Sequence, residues 1–110
     1  MEPQPQHDAT DTLRHVVSDS PRVMVVDGSR MVRKLIGDVL ARELPGARVI
    51  ACGGLEEARA TLAEAPVDLV TTSLLLPDGD GMALARTVRE SAGQSYVPVI
   101  VVSGDVQSRL

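Results

Sequence analysis

VDLVTTSLLLPDGDG, residues 67–81, is an apolar run that stops at a proline and a cluster of glycine and aspartate. A short apolar run bounded by turn residues is typical of a strand that is buried on both faces. We therefore predict a strand over residues 67–73 and a loop over residues 74–81. The strand ends on Ser73 rather than on an acid, and this choice decides whether the strand end carries out chemistry or only binds.

The same alternation of apolar strand, turn and amphipathic helix extends on both sides of this segment. Such alternation with short loops indicates a parallel sheet with helices on both faces. The predicted fold class is therefore α/β, with a doubly wound parallel sheet. Strands are predicted at residues 22–26, 47–52, 67–73 and 97–103, and helices at about 31–43, 55–65 and 82–91.

Length and composition fit one domain with an aliphatic core. The chain has 110 residues, of which 44% are hydrophobic, and its one aromatic residue is Tyr96. The net charge is −4, and the basic residues Arg30, Arg33 and Lys34 are best interpreted as the solvated face of the first helix. Because no basic stripe is interleaved with aromatic residues, we expect no nucleic-acid binding by this chain.

The cysteine count and the hydropathy pattern bear on the compartment. Cys52 is the sole cysteine, which excludes a disulfide within the chain and a cysteine-based metal site. We interpret Cys52 as a small hydrophobe near a strand end, and a reducing, cytoplasmic location fits. The chain begins without the apolar stretch of a secretory signal, and no run approaches the roughly 20 apolar residues of a membrane span.

Two regions are predicted: a flexible tail over residues 1–20 and one domain over residues 21–110. The tail is rich in Pro, Gln, Asp and Thr. His7 and His15 have no partners at metal-ligand spacing and are interpreted as solvated side chains. Apolar residues at helical spacing within the tail are compatible with a short amphipathic turn: Leu13, Val16 and Val17.

Ligands of open parallel sheets bind beyond the carboxyl ends of the strands. The residues that follow the four predicted strands are therefore the candidates for a functional site. They are Asp27, Gly28 and Ser29, then Gly53 and Gly54, then Ser73, and finally Ser103 and Gly104.

Three motifs in this order resemble the receiver domain of bacterial two-component response regulators. They are VMVVDGSRMVRKLI (23–36), PDGDG (77–81) and VPVIVVSGD (97–105), and the resemblance covers residues 22 to about 105. It implies a flavodoxin-like sheet. Relative to the family, the fourth helix, the fifth strand and the fifth helix have no counterpart in the chain, so an incomplete receiver domain is expected.

The resemblance also implies roles for single positions. The family's acidic pair, which binds Mg²⁺, corresponds to Asp27 and Gly28. The phosphoacceptor aspartate, four residues before the loop proline Pro77, corresponds to Ser73, and the switch hydroxyl corresponds to Ser103. The family's lysine on the fifth strand has no counterpart.

Of the three acidic positions of the family, this chain keeps an acid at one, Asp27, so we expect a degenerate site. Aspartyl phosphorylation needs a carboxylate nucleophile and a divalent cation, and Ser73 is a poor nucleophile without a base. Asp27 alone is expected to bind Mg²⁺ weakly at best, so no metal and no cofactor are predicted. Ser103 is interpreted as a hydroxyl that nearby backbone satisfies.

The loop supplies structure rather than a second acid site. Pro77, Asp80 and Gly81 are interpreted as loop and helix-cap residues, with Asp80 capping the helix that follows. A Ca²⁺ loop starting at Asp78 is excluded, because Met82 and Arg89 stand where such a loop needs oxygen ligands.

The expected function is a phosphorylation-independent receiver module without catalytic activity. It acts by protein–protein contact or regulates an attached output domain. The apolar fourth strand leaves a sheet edge that invites pairing with another chain, for instance in a homodimer, or cover by the N-terminal tail. A chain that is a fragment of a longer polypeptide, which supplies the remaining elements, is the favoured explanation. Two alternatives stay open: a regulator phosphorylated on a non-standard acid, and the regulatory N-terminus of an enzyme such as a cyclic-dinucleotide cyclase or phosphodiesterase.

Overall fold

The structure of the chain, a computed structural model, describes residues 20–103. Strands and helices alternate through this range as the sequence predicts. The elements are β1 Arg22–Val26, α1 Arg30–Glu43, β2 Arg48–Cys52, α2 Leu55–Glu64, β3 Leu69–Ser73, β4 Leu75–Leu76, β5 Gly79–Asp80, α3 Gly81–Glu90 and β6 Val99–Val102.

Four strands form a parallel sheet in the order β2-β1-β3-β6. β1 lies in the interior, paired with β2 on one side and with β3 on the other. β6 joins the outer side of β3, with Ser73 opposite Val102. This order confirms the doubly wound α/β fold and places the ends of β1 and β3 side by side.

The helices cover both faces of the sheet and create two apolar clusters. One cluster joins the strands to α2 and α3, and its residues include Met24, Leu62 and Leu84. The other joins the strands to α1 through Leu40 and Leu69. Burying one such aliphatic side chain contributes about 1.5–3 kcal/mol, so these two clusters supply the main stabilisation of the fold.

Helix α1 begins at a serine cap. Ser29 is the N-cap residue, and its hydroxyl accepts a hydrogen bond from the Val32 amide over 3.2 Å. One side of α1 packs on the sheet, whereas Met31, Leu35 and Val39 are largely exposed although they share the apolar spacing. The amphipathic pattern therefore predicts the helix correctly but overestimates its buried face.

The segment after β3 differs from the predicted loop. Leu75–Leu76 and Gly79–Asp80 pair in an antiparallel manner and form a small hairpin around Pro77 and Asp78. Two-residue strands are too short to show an alternating pattern, so the sequence offers no signal for them. The hairpin gives the segment after β3 a defined conformation next to the strand ends.

Element boundaries shift by one or two residues from the predictions. The third strand begins at Leu69 instead of residue 67, and the fourth covers Val99–Val102 instead of 97–103. α3 begins one residue earlier than predicted, at Gly81. The expectations for the tail, including His7 and His15, lie outside the described residues.

Within residues 20–103, the helices fall short of the length and apolarity that a membrane span requires.

Candidate functional site

The predicted site residues gather at the carboxyl edge of the sheet. Val26 pairs with Thr72, so Asp27 and Ser73 follow neighbouring strand positions. On the outer side of β3, the Leu74 amide donates to the Val102 carbonyl over 3.0 Å, which brings the end of β6 to the same edge. The geometry therefore unites the strand ends that the fold class predicts.

Asp27 forms the turn between β1 and α1. Its Oδ1 accepts a hydrogen bond of 2.7 Å from the Ser29 amide. Its main-chain carbonyl accepts a hydrogen bond of 2.7 Å from Nη1 of Arg33. The carboxylate thus already has a structural role at the start of α1, in addition to any role toward a ligand.

Gly28 lies directly beneath the loop proline. A Cβ atom at Gly28 would be 3.1 Å from both Cγ and Cδ of Pro77. A side chain at this position would require the proline ring to shift by a few tenths of an ångström. Gly28 therefore permits the hairpin to approach the end of β1 closely.

Ser73 is half-buried, and its hydroxyl points into the loop backbone. The Oγ of Ser73 donates to the carbonyl of Leu75 over 3.1 Å. Within residues 20–103 no histidine is present to act as a base for this hydroxyl. The hydroxyl therefore serves the local turn, and the geometry does not activate it as a nucleophile.

Asp78 caps a helix that is distant in sequence. Its Oδ1 accepts from the Leu55 amide over 2.7 Å and its Oδ2 from the Glu56 amide over 3.0 Å. These hydrogen bonds, first that of Glu56 and then that of Leu55, lower the pKa of the Asp78 carboxyl from its ordinary value. The N-cap residue of α2, Gly54, has no side chain to do this, so the hairpin supplies the cap.

Sequence reasoning missed this role of Asp78. Two features of the sequence could have indicated it. A predicted helix starts after Gly53 and Gly54, which have no capping side chain, and the loop aspartate Asp78 has no other predicted role. The approach is close, since a Cβ atom at Gly54 would lie 2.7 Å from Oδ1 of Asp78. Glycine at this position therefore makes room for the carboxylate.

Asp80 and Gly81 connect the hairpin to α3. Asp80 is the N-cap residue of α3, and its Oδ1 accepts from the Ala83 amide over 2.8 Å. A Cβ atom at Gly81 would lie 2.5 Å from the carbonyl oxygen of Ser73. The backbone of α3 therefore begins in direct contact with the end of β3.

Ser103 and Cys52 are the remaining strand-end residues of interest. Ser103 is exposed directly after β6, and its role as a hydroxyl that nearby backbone satisfies stays a prediction. Cys52 is buried and unpaired, with its Sγ 3.5 Å from Oγ1 of Thr61. Burial raises the pKa of the Cys52 thiol, consistent with its interpretation as a small hydrophobe.

The carboxylates around the site are thus used as hydrogen-bond acceptors for backbone amides. Asp27 serves the start of α1, Asp78 the start of α2 and Asp80 the start of α3. In the part of the chain that the structure describes, no three His, Cys, Asp or Glu residues form a group that fits a metal ion. The donor set at Asp27, Gly28 and Ser73 offers one carboxylate, whereas Mg²⁺ prefers several hard oxygen ligands in octahedral geometry.

Comparison with known proteins agrees with this fold and motif order. The model of the response regulator receiver domain family matches residues 23–110. The chain is 38% identical over 89 residues to the transcriptional regulatory protein AruR of Pseudomonas aeruginosa, covering 76% of this chain and 34% of that protein. It is 39% identical over 83 residues to protein-glutamate methylesterase/protein-glutamine glutaminase 2 of Cereibacter sphaeroides, covering 74% and 22%.

A solved structure gives the same result in three dimensions. The response regulator receiver protein from Pseudomonas putida superposes with a TM-score of 0.65 and is 33% identical, covering 84% of this chain and 77% of that one. The chain spans about a third or less of the two curated relatives. Fold, motif order and similarity agree, and the chain belongs to the response regulator receiver domain family of two-component signalling.

Proposed function

We propose that this chain is a receiver module that works without accepting a phosphoryl group. The observation that carries the proposal is the pair of substitutions at the strand ends, Gly28 and Ser73, beside a single acid, Asp27. An aspartyl phosphate needs a carboxylate oxygen as nucleophile and a cation that neutralises the transferring group. Neither position supplies what the family mechanism requires.

The hydrogen bonds of the remaining acids support this proposal. Using Asp27 or Asp78 as a nucleophile or a metal ligand would compete with the amides that each one already caps. Losing either hydrogen-bond acceptor would leave backbone amides at the start of a helix without a protein partner. We expect Mg²⁺ to bind weakly or not at all, and we expect no resident cofactor.

A module without phosphoryl chemistry has to act through contacts. We propose that a protein partner or an attached output domain receives the signal, in the cytoplasm, and that this chain has no catalytic activity of its own. The names of the two curated relatives support an attached output, because one is a transcriptional regulatory protein and the other a methylesterase. The same similarity leaves the regulatory N-terminus of an enzyme as the alternative, which the gene sequence beyond Leu110 decides.

The direct test is the intact mass of the full chain after incubation with acetyl phosphate and Mg²⁺. We expect no gain of mass. A phosphoryl group on Asp27, Asp78 or Asp80 would overturn the proposal and establish a regulator with a non-standard acid. An NMR titration with Mg²⁺, read at the Gly28 amide, measures metal binding separately. A shift without any gain of mass would show that the chain has lost the nucleophile but kept a metal site.

The matched variant carries Gly28→Asp and Ser73→Asp together. We expect this variant to bind Mg²⁺ more tightly than the native chain, because it restores the two missing carboxylates. The restored Asp at position 28 must displace Pro77, whose ring lies 3.1 Å from the added Cβ. Equal, tight Mg²⁺ binding by the native chain would show that Asp27 suffices and would contradict the proposal.

A further inference from the structure

An open groove of about 420 Å³ lies between α1 and the edge strand β2, and it adjoins the candidate functional site only through Arg33. Its floor is apolar and consists of small residues from both elements: Gly37, Ala41, Val49 and Ala51. A Cβ atom at Gly37 would lie 3.4 Å from Cγ1 of Val49, so α1 and β2 are in contact beneath the groove. Ala41, Val49 and Ala51 are nevertheless exposed, which leaves the floor accessible.

The rim of the groove is basic. Arg30, Arg33 and Lys34 face one acid, Asp38, along this side of α1. Lys34 pairs with Asp38 at 3.2 Å, and Nη1 of Arg33 donates to the Asp27 carbonyl. Arg30 is exposed, and its guanidinium has no partner among residues 20–103. A rim with a net charge of +2 therefore stands out in a chain whose total is −4.

The outer edge of β2 lies beside this groove. Across the described range, β2 pairs with β1 and with no other strand. An edge strand presents unpaired N–H and C=O groups that an extended segment can occupy. The groove thus combines an apolar floor, a basic rim and a backbone edge, which together fit an acidic segment with a few aliphatic side chains.

The first 19 residues of the same chain have that chemistry. Their acidic side chains are Glu2, Asp8, Asp11 and Asp19 and their one basic side chain, apart from the neutral histidines, is Arg14, so the segment holds −3 of the chain's total charge of −4. Its aliphatic residues include Leu13, Val16 and Val17.

The point of attachment is also suitable. The segment joins the described domain at Ser20 and Pro21, and the Pro21 carbonyl accepts a hydrogen bond of 2.7 Å from the Arg48 amide. Arg48 is the first residue of β2, so the segment leaves the domain beside the strand that lines the groove. Nineteen residues are ample for a path along a five-residue strand, which spans about 17 Å.

We propose that the groove between α1 and β2 is the docking site of the chain's own acidic N-terminal segment, residues 1–19. The carboxylates meet Arg30 and Lys34 on the rim, and the aliphatic side chains cover the floor at Ala41, Val49 and Ala51. The segment thereby shields the edge of β2, and a protein that uses this edge must displace it. This inference does not depend on the phosphorylation state of the candidate functional site.

The experiment uses the full chain with Thr12→Cys carrying a nitroxide label. Cys52 is buried, so the label attaches at position 12, which an intact mass verifies. The readout is the loss of amide signals in NMR spectra of the oxidised sample relative to the reduced one. We expect the loss to concentrate at Gly37, Ala41, Val49 and Ala51, and to fade as salt rises.

Two charge reversals provide a matched pair. Arg30→Glu removes a rim cation and is expected to abolish the selective signal loss at the groove. Arg86→Glu changes the net charge equally, but on an exposed position of α3 outside the groove, and is expected to leave the signal loss unchanged. Replacing Asp8, Asp11 and Asp19 by Asn tests the segment's side of the contact and should have the same effect as Arg30→Glu.

Three outcomes would overturn the proposal. The first is signal loss spread evenly over the domain. The second is loss centred on exposed apolar residues outside the groove, such as Leu35 of α1 and Val102 of β6. The third comes from a mixture of two kinds of chain: one enriched in ¹⁵N without a nitroxide, and one with the nitroxide but without ¹⁵N. Signal loss at the groove of the ¹⁵N-enriched chains would place the segment on a second copy.

Discussion

At the scale of single residues, Asp78 has a specific structural role because one carboxylate serves two amides of α2. Asp78→Ala removes both acceptors and is expected to lower the urea midpoint of unfolding. Asp78→Asn keeps one acceptor oxygen and is expected to lose less. Glu64→Ala, an exposed acid at the other end of α2, is the control and should leave the midpoint nearly unchanged.

The same carboxylate predicts a pH dependence. The pKa of Asp78 is lowered in the folded chain, so its contribution to stability is fully present above the unfolded pKa and disappears as pH falls through the folded pKa. The difference in urea midpoint between the native chain and Asp78→Ala is therefore expected to be larger at pH 7 than below about pH 4. An equal difference at both pH values would show that the charge of Asp78 does not matter.

Two adjacent buried threonines of β3 provide a second residue-scale prediction. Oγ1 of Thr72 donates to the Ser73 carbonyl over 3.0 Å, whereas Oγ1 of Thr71 is buried without a partner in the described residues. Thr71→Val replaces an unsatisfied hydroxyl with a methyl group and should stabilise the chain by about 1 kcal/mol. Thr72→Val loses a hydrogen bond and should destabilise it by about as much. Urea unfolding of both variants measures this, and free-energy changes of the same sign would contradict the assignment.

At the scale of elements, the start of α3 depends on a glycine. A Cβ atom at Gly81 would meet the Ser73 carbonyl at 2.5 Å, and backbone yields less easily than a flexible side chain. Gly81→Ala is expected to destabilise the fold by about 1–3 kcal/mol. Gly37→Ala, in the interior of α1 with its nearest contact at 3.4 Å, should instead stabilise it by about 0.5–1 kcal/mol. Thermal unfolding of the two variants measures both signs, and a stable Gly81→Ala would contradict the close approach.

The elements themselves were largely predictable, and their limits were less so. Strands buried on both faces are continuous apolar runs, and helices buried on one face have apolar residues at helical spacing. These two patterns indicate the four parallel strands and the three helices. The apolar run predicts the start of the third strand two residues too early, at Val67, whose amide donates to the side chain of Gln94 instead of joining the ladder. That contact joins residues 27 positions apart, so no local pattern reveals it.

At the scale of the whole molecule, the sequence predicts which positions meet but not how they are used. The strand order brings Asp27 and Ser73 together, as expected for the carboxyl edge of a parallel sheet. The cap that Asp78 provides to α2 depends on the distance between a hairpin and a helix that begins 23 residues earlier. Such a distance follows from packing, and periodicity does not encode it.

The sheet has two outer strands in the described range, and their chemistry differs. β2 borders a basic groove, whereas β6 carries only apolar side chains from Val99 to Val102, with Val102 42% exposed. We expect the full chain to self-associate through β6 and Val102→Lys to weaken this association, because a charge on an edge strand opposes pairing. Val49→Lys, at a position of β2 that is 36% exposed, is the matched control and should leave association unchanged. Sedimentation velocity over a range of concentrations measures this association. A chain that stays monomeric throughout, or an equal effect of both variants, would rule out β6 as the dimer interface.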